Sequence, residues 1–169
     1  MRALLASLLL TIAAAVQAGP IADTFRTGVF GLAWGASAAE IEAKFPGGKW
    51  SANVGIRSYA IKDGRTVLGI ERDARPIRFV LSTIGTLTAV GVEFPPGMDG
   101  LSRVMAAAVN TFGPAEPMEG IPGATGARWP VDDGLSVAAS ALTGITGVRM
   151  VMLSIAKAGV AKPADLGFQ

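Results

Sequence analysis

The apolar positions of this chain change period repeatedly, and the changes mark its elements. From Phe30 to Phe45 (FGLAWGASAAEIEAKF) the pattern reads as a strand end, a tight Trp34-Gly35 turn and a short helix. Ser37 can accept a hydrogen bond from a first-turn amide while Glu40 reaches back, which is a capping box. Ala38, Ile41 and Phe45 then fall on one helical face, and Pro46-Gly47-Gly48 stops the helix. Ile21 to Thr27 has no clear period, and Trp50 to Val54 reads as a short strand or a loop.

Beyond Gly55 the period becomes two. Ile56 to Lys62 and Arg65 to Arg72 read as strands joined by Asp63-Gly64, a preferred two-residue hairpin turn. That turn predicts Tyr59 opposite Leu68, Ile61 opposite Thr66 and Arg57 opposite Ile70, with Tyr59, Ile61, Leu68 and Ile70 on one face. Ile77 to Thr83 and Leu87 to Phe94 alternate most cleanly. A type II′ turn at Gly85-Thr86 predicts Phe79 opposite Val92, Leu81 opposite Val90 and Arg78 opposite Glu93. Asp99 is the expected N-cap of a second helix ending at Phe112, with Leu101, Val104, Met105, Ala108 and Phe112 as its apolar stripe. Ala115 to Thr125 reads as loop. Strands follow over Ala127 to Val131, Leu135 to Leu142 and Val148 to Ala156, with turns at Asp133-Gly134 and Gly144 to Gly147.

The expected fold is therefore α+β: an antiparallel sheet with two helices packed on one face, in the order helix, strands, helix, strands. The halves echo each other. Phe45-Pro46-Gly47 answers Phe112-Gly113-Pro114, and Trp50 answers Trp129, which raises the possibility of a tandem repeat.

The N-terminus changes the setting. Arg2 followed by the apolar run Ala3 to Val16, with Val16-Gln17-Ala18 before Gly19, has the form of a secretory signal peptide spanning residues 1–18. The run is shorter than the ~20 residues of a membrane-spanning helix, and no Cys follows it to carry a lipid. The expected organisation is a signal peptide (1–18), one domain (19–156) and a C-terminal tail (157–169). Export would place the protein in the periplasm or outside the cell. Losing Arg2 takes the formal charge of +2 closer to zero, too little to argue for nucleic acid or an anionic membrane.

The chain has neither Cys nor His. Ser-His-Asp triads, Cys nucleophiles and the usual Cys/His zinc sites are therefore not available.

The pattern Phe30-Gly31-x-x-Trp34-Gly35-x-Ser37-x-x-Glu40-Ile41 resembles the opening of a broad group of small exported bacterial proteins of unknown function. Gly35-x-Ser37-x-x-Glu40-Ile41 is more distantly similar to the first helix of the SmpA/OmlA-type outer-membrane assembly lipoproteins. The doubled helix-plus-strands order resembles the tandem repeat of β-lactamase inhibitory protein. The similarity covers about a dozen residues and the element order, and carries no functional residue with it.

Few residues invite chemistry. Glu40 and Glu42 are two apart on a helix and do not face each other, and Asp132-Asp133 before Gly134 is turn chemistry. Arg65, Arg72, Arg75 and Arg78, interleaved with Glu71 and Asp73, form either an anion-binding patch or a solvated, internally paired sheet face. Trp34 reads as a core anchor, while Trp50 is as well suited to an interface as to the core. Gly120 to Gly126 lacks the Lys-Ser/Thr of a phosphate loop. No catalytic, cofactor-binding or metal-ligating residue is assigned. The expectation is a non-enzymatic envelope protein that binds another envelope or secreted protein, without nucleic acid and without a membrane-spanning segment in the mature chain. The alternatives are a carrier holding a small apolar ligand between sheet and helices, and a hydrolase working with carboxylates alone.

Overall fold

The computed structural model describes residues 19–160 except 54, 120, 121 and 146. The expected leader and residues 161–169 of the expected tail lie outside the described residues. The helices are α1 (Pro20–Phe25), α2 (Ala38–Lys44) and α3 (Met98–Phe112). The strands are β1 (Lys49–Asn53), β2 (Ile56–Lys62), β3 (Pro76–Leu81), β4 (Leu87–Phe94), β5 (Glu116–Pro117), β6 (Ala124–Arg128), β7 (Leu135–Gly144) and β8 (Gly147–Lys157). The eight strands form one antiparallel sheet in the order β1-β2-β3-β4-β8-β7-β6-β5. Two four-stranded meanders thus meet through their last strands, β4 and β8. The fold is mixed α+β with the sheet dominant. Among the described residues no helix is long and apolar enough to cross a membrane.

One sheet face carries the core. Tyr59, Ile77, Phe79, Leu81, Val90, Val92, Val151, Leu153, Ile155, Val137 and Leu135 are all buried, and cross-strand pairs such as Tyr59↔Phe79, Phe79↔Val90, Val90↔Ile155 and Ile155↔Val137 keep them in register. α3 packs over β6, β7 and β8, and α1 over β7 and α3. The Phe112 ring joins Phe25 at 5.7 Å and Trp129 at 5.9 Å. At the other end of the sheet, the Phe45 ring beyond α2 lies 4.9 Å from Phe79. Tyr59 Oη donates to the Phe45 carbonyl and accepts from the Gly48 N–H, both at 2.7 Å, fixing the chain reversal after α2.

The capping box forms as its residues predict. Ser37 N–H donates to Glu40 Oε2 at 2.8 Å and Glu40 N–H to Ser37 Oγ, and the Ser37 N–H holds the Glu40 carboxyl below its ordinary pKa. Gly35, at φ +87°, lets the preceding turn reach the sheet, where Gly35 N–H donates to Leu87 O and Leu87 N–H to Ala36 O.

Several expectations are corrected. Among the described residues the helices are three, because α1 forms where the sequence shows no period. It is six residues long, too short to show one. Its Ile21 and Ala22 are buried, and Trp34 Nε1 donates to the Phe25 carbonyl at 2.7 Å. The N-cap of α3 is Gly97, at φ +114°, and Asp99 lies inside the first turn, where its charge suits the helix dipole. The stretch 115–125 contains β5 and the start of β6, and β6 ends at Arg128 rather than Val131. β8 runs through Lys157, one residue into the expected tail. Trp50 lies on β1, whereas Trp129 follows β6, so their echo does not join equivalent strands.

Two hairpin readings change most. Arg65 to Arg72 is not a strand, and β2 pairs with β3, so Tyr59 faces Phe79 rather than Leu68. Residues 63–75 make an excursion that includes a tight Val67-Leu68-Gly69-Ile70 turn closed by two backbone bonds. Between β3 and β4 the Gly85 N–H donates to Ser82 O and the Ser82 N–H to Thr86 O, with Gly85 at φ +83°. This is a three-residue loop with its glycine in the left-handed region rather than a two-residue II′ turn. The loop displaces the pairing by three and a bulge between Val80 and Leu81 takes one back, so the net shift is two: Phe79 faces Val90, Ile77 faces Val92 and Arg78 faces Gly91. A shift of two preserves the face, so the apolar set stays together. Arg78 still reaches Glu93 diagonally at 2.9 Å.

Candidate functional site

The second face of the sheet follows from the same register. Its positions are Ser58 and Ala60 on β2, Arg78 and Val80 on β3, and Ala89, Gly91 and Glu93 on β4. Met150, Met152, Ser154 and Ala156 on β8 and Ser136, Ala138, Ser140 and Leu142 on β7 continue it. Of these only Gly91 is buried, between Arg78 and the Met152 sulfur, and every other position keeps exposure. The surface is built of small side chains with a few apolar ones standing on it. Ile56, in the same row as Ser58, is 57% exposed and Leu142 40%. Among the described residues the charges of this surface include the Arg78–Glu93 pair, Lys49 and Lys62 toward the β1 edge, and the Arg128–Glu116 pair, 3.4 Å apart, with Glu119 beside Arg128 at the β5 edge.

The arginines of residues 65–78 do not form one patch. Arg65 grips Asp63 with both carboxylate oxygens engaged, at 2.8 and 2.7 Å. Its guanidinium also lies 4.9 Å from the Phe30 ring and 5.2 Å from the Phe45 ring. The Arg65 hydrogen bonds hold the Asp63 carboxyl below its ordinary pKa against its partial burial. Arg78 pairs with Glu93. Arg72 departs furthest from a solvated face: it is fully buried. Nε donates to Glu93 O at 2.8 Å, Nη1 to Asp63 O at 3.1 Å and Arg65 O at 3.5 Å, and Nη2 to Arg75 O at 2.8 Å and Pro76 O at 2.9 Å. Burial pushes its pKa down, the Asp63 and Glu93 carboxylates push it up, and Arg65 adds to the depression. Arg72 is the pin that holds the 63–75 excursion against the end of β4.

That excursion walls one side of an apolar cavity of about 300 Å³. Phe25, Val29 and Phe30 form another side, and Phe112, Leu153 and Ile155 also line it. Both flanking turns place a bulky residue in the left-handed region, Phe30 at φ +53° and Leu68 at φ +52°, each followed by a glycine. A wider depression of about 420 Å³ at the β2 end is bordered by Lys49 and Lys62.

The remaining sequence candidates separate. Glu40 is spent on the cap, while Glu42 Oε1 accepts from Trp50 Nε1, tying α2 to β1. Trp50 is half-buried against Tyr59, with the Arg57 guanidinium 5.0 Å from its ring. Trp34 is half-buried and Trp129 buried, with Trp129 Nε1 donating to Gly113 O at 2.9 Å. Asp132 to Leu135 is a two-residue turn with Asp133 and Gly134 at positive φ, in keeping with the Asp-Gly signal. Asp132 also accepts two distant backbone bonds, a role no local pattern announces. Among the described residues no group of three or more Asp or Glu gathers as a metal site would need. Comparison with protein-family models, with curated proteins and with solved structures finds no match to this chain.

Proposed function

We propose that this is an exported cell-envelope protein that binds another protein through the open face of its sheet. The observation that carries the reading is that none of the described helices packs on this face. β7, β8 and β4 present alternate small residues there, with Met150, Met152, Leu142 and Ile56 as the apolar points. Small side chains let a partner's loop or strand approach the sheet closely, and methionines adapt to its contours. At ~4.8 Å between strands and ~3.3 Å per residue, eight strands offer roughly 700 Å² of face. That is close to the ~800 Å² each partner contributes to a standard interface. The expected partner presents an apolar loop or strand and carries acidic groups where it meets Lys49 and Lys62 at the β1 edge. Export rests on the leader-like residues 1–18. The order α2, β1–β4, then α3, β5–β8, joined at β4 and β8, supports reading the domain as a tandem repeat with a helix over the same face in each half.

The test is capture from envelope extract with the mature protein and with an Ala138→Arg/Ser154→Arg variant, two positions that are cross-strand partners on the open face. A partner retained by the first and lost by the second supports the reading. Equal capture by both overturns it. A second reading, a carrier of a small apolar ligand, is favoured by the cavity between Phe30 and Leu68. It predicts that an apolar fluorescent probe is displaced by filling that cavity with Val67→Trp, while the open-face variant leaves probe binding unchanged.

A further inference from the structure

Asp132 faces the point at which the leader would be removed. Its Oδ1 lies 3.2 Å from the Gly19 backbone nitrogen and its Oδ2 accepts from the Ala22 N–H at 2.7 Å. The carboxylate is held firmly. Asp132 and Leu135 exchange two backbone bonds across the turn, both at 2.9 Å. The receiving segment is anchored as well, because Ile21 and Ala22 are buried. A Cβ at position 19 would fall 2.7 Å from Asp132 Oδ2 and 3.0 Å from its Cγ, so a side chain there would displace the carboxylate from this contact. The next residue, Asp133, shares Arg26 at 3.7 Å and Lys157 at 3.6 Å, whereas among the described residues no basic side chain pairs with Asp132.

We infer that Asp132 is the built-in seat for the α-ammonium group of Gly19 created when the leader is cleaved. The inference rests on the export reading above, and on cleavage between Ala18 and Gly19. Hydrolysis of that bond by a leader peptidase consumes one water. Ala18 leaves with a carboxylate, and the Gly19 nitrogen, until then an uncharged amide, becomes an ammonium. The contact to Oδ1 thereby changes from a neutral donor to a charge-assisted one, a class roughly twice as strong. Glycine leaves the carboxylate in place, where a side chain would have to displace it. Pro20 at the first helical position and buried Ile21 and Ala22 hold the new terminus in place. Cleavage then strengthens the tie between α1 and the β6–β7 turn, so the domain reaches full stability only once it is released from its leader.

The charged groups on the elements around Gly19 are Asp23 and Arg26 on α1, Asp132 and Asp133 on the turn, Lys157 at the end of β8, and Asp99 and Arg103 in the N-terminal half of α3, whose opposite end, at Phe112, is the one beside Gly19. Arg26 and Lys157 are engaged with Asp133, leaving Asp132 to govern the ammonium. An α-amino group ordinarily titrates near 7.7–8.0, and a carboxylate partner raises that value in the folded state. The sign follows: the added stability is fully present below the unfolded value and is lost as pH rises through the folded one.

The experiment uses protein released from a fusion so that Gly19 is its first residue, with and without Asp132→Asn, and each again with the α-amino group acetylated. NMR titration of the Gly19 α-protons should give an amine pKa about one unit above its ordinary value, equal to a tenfold shift in protonation, and Asp132→Asn should restore the ordinary value. Acetylation should lower the melting temperature at pH 6.5 in the Asp132 background and leave it unchanged in the Asn background. Titration that is the same in both backgrounds, or an acetylation effect independent of residue 132, overturns the pair. An intact mass of the exported protein that does not begin at Gly19 overturns the link to processing through the export reading, a failure distinct from that of the pair.

Discussion

Arg72 carries a full charge into the interior and meets carbonyl oxygens there instead of a carboxylate. Its planar fork serves five of them at once, a geometry a lysine ammonium cannot reproduce. Removing it strands acceptors that water does not easily reach, and such groups cost about 1–3 kcal/mol each when left unpaired. Arg72→Met is therefore expected to lower unfolding free energy by at least about 3 kcal/mol, and Arg72→Lys to recover less than half of that, both measured by urea denaturation. Equal stability of wild type and Arg72→Lys would show that charge alone suffices. Asp63 gives the pH dependence. Arg65 depresses its folded pKa below the ordinary value near 3.8, so its contribution is present above that value and is lost as pH falls through the folded one. Solvent reaches the Arg65 end of the pair and screens it, so the effect is about 1 kcal/mol or less. Asp63→Asn should melt slightly lower than wild type at pH 6, and the two should converge as pH falls through the lowered folded value.

At the scale of elements, Phe45 and Phe112 end their helices as buried rings. Phe45→Ala and Phe112→Ala are each expected to cost about 3–5 kcal/mol, read as a fall in denaturation midpoint. Melting close to wild type in both would mean that these rings do not anchor the helices. What was legible here follows the range of the interactions. The cap of α2 lies within four residues and reads directly. The alternation of β3 and β4 reads correctly for face, because a register error of two leaves parity intact. The turn between them misreads, since Gly85 suits a left-handed position in either loop. Asp63-Gly64 carries the same signal as Asp133-Gly134, yet only the latter makes the two-residue turn. At residues 63–75 the deciding partners are the carbonyls that Arg72 collects from β3, β4 and the excursion itself, and no local pattern reveals them.

At the scale of the whole molecule, the open face was the least legible feature. On β7 the rows Ser136, Ala138, Ser140 and Val137, Ala139, Ala141 are both small, so alternation cannot say which row faces the helices. Only the packing of α1 and α3 against the sheet decides it. The Asp132 seat was equally hidden, because its partners lie 110 and 113 residues away in the chain. Without a cysteine to form a disulfide, the domain depends on its one core. The most direct measurement is site-specific photo-crosslinking in exporting cells, with the photoreactive residue at Ser140 or Ser154 on the open face and at Asn110 on the exposed surface of α3. The account predicts a discrete protein adduct from Ser140 and Ser154 and none from Asn110. Adducts confined to Asn110, or none from the sheet positions, would contradict it.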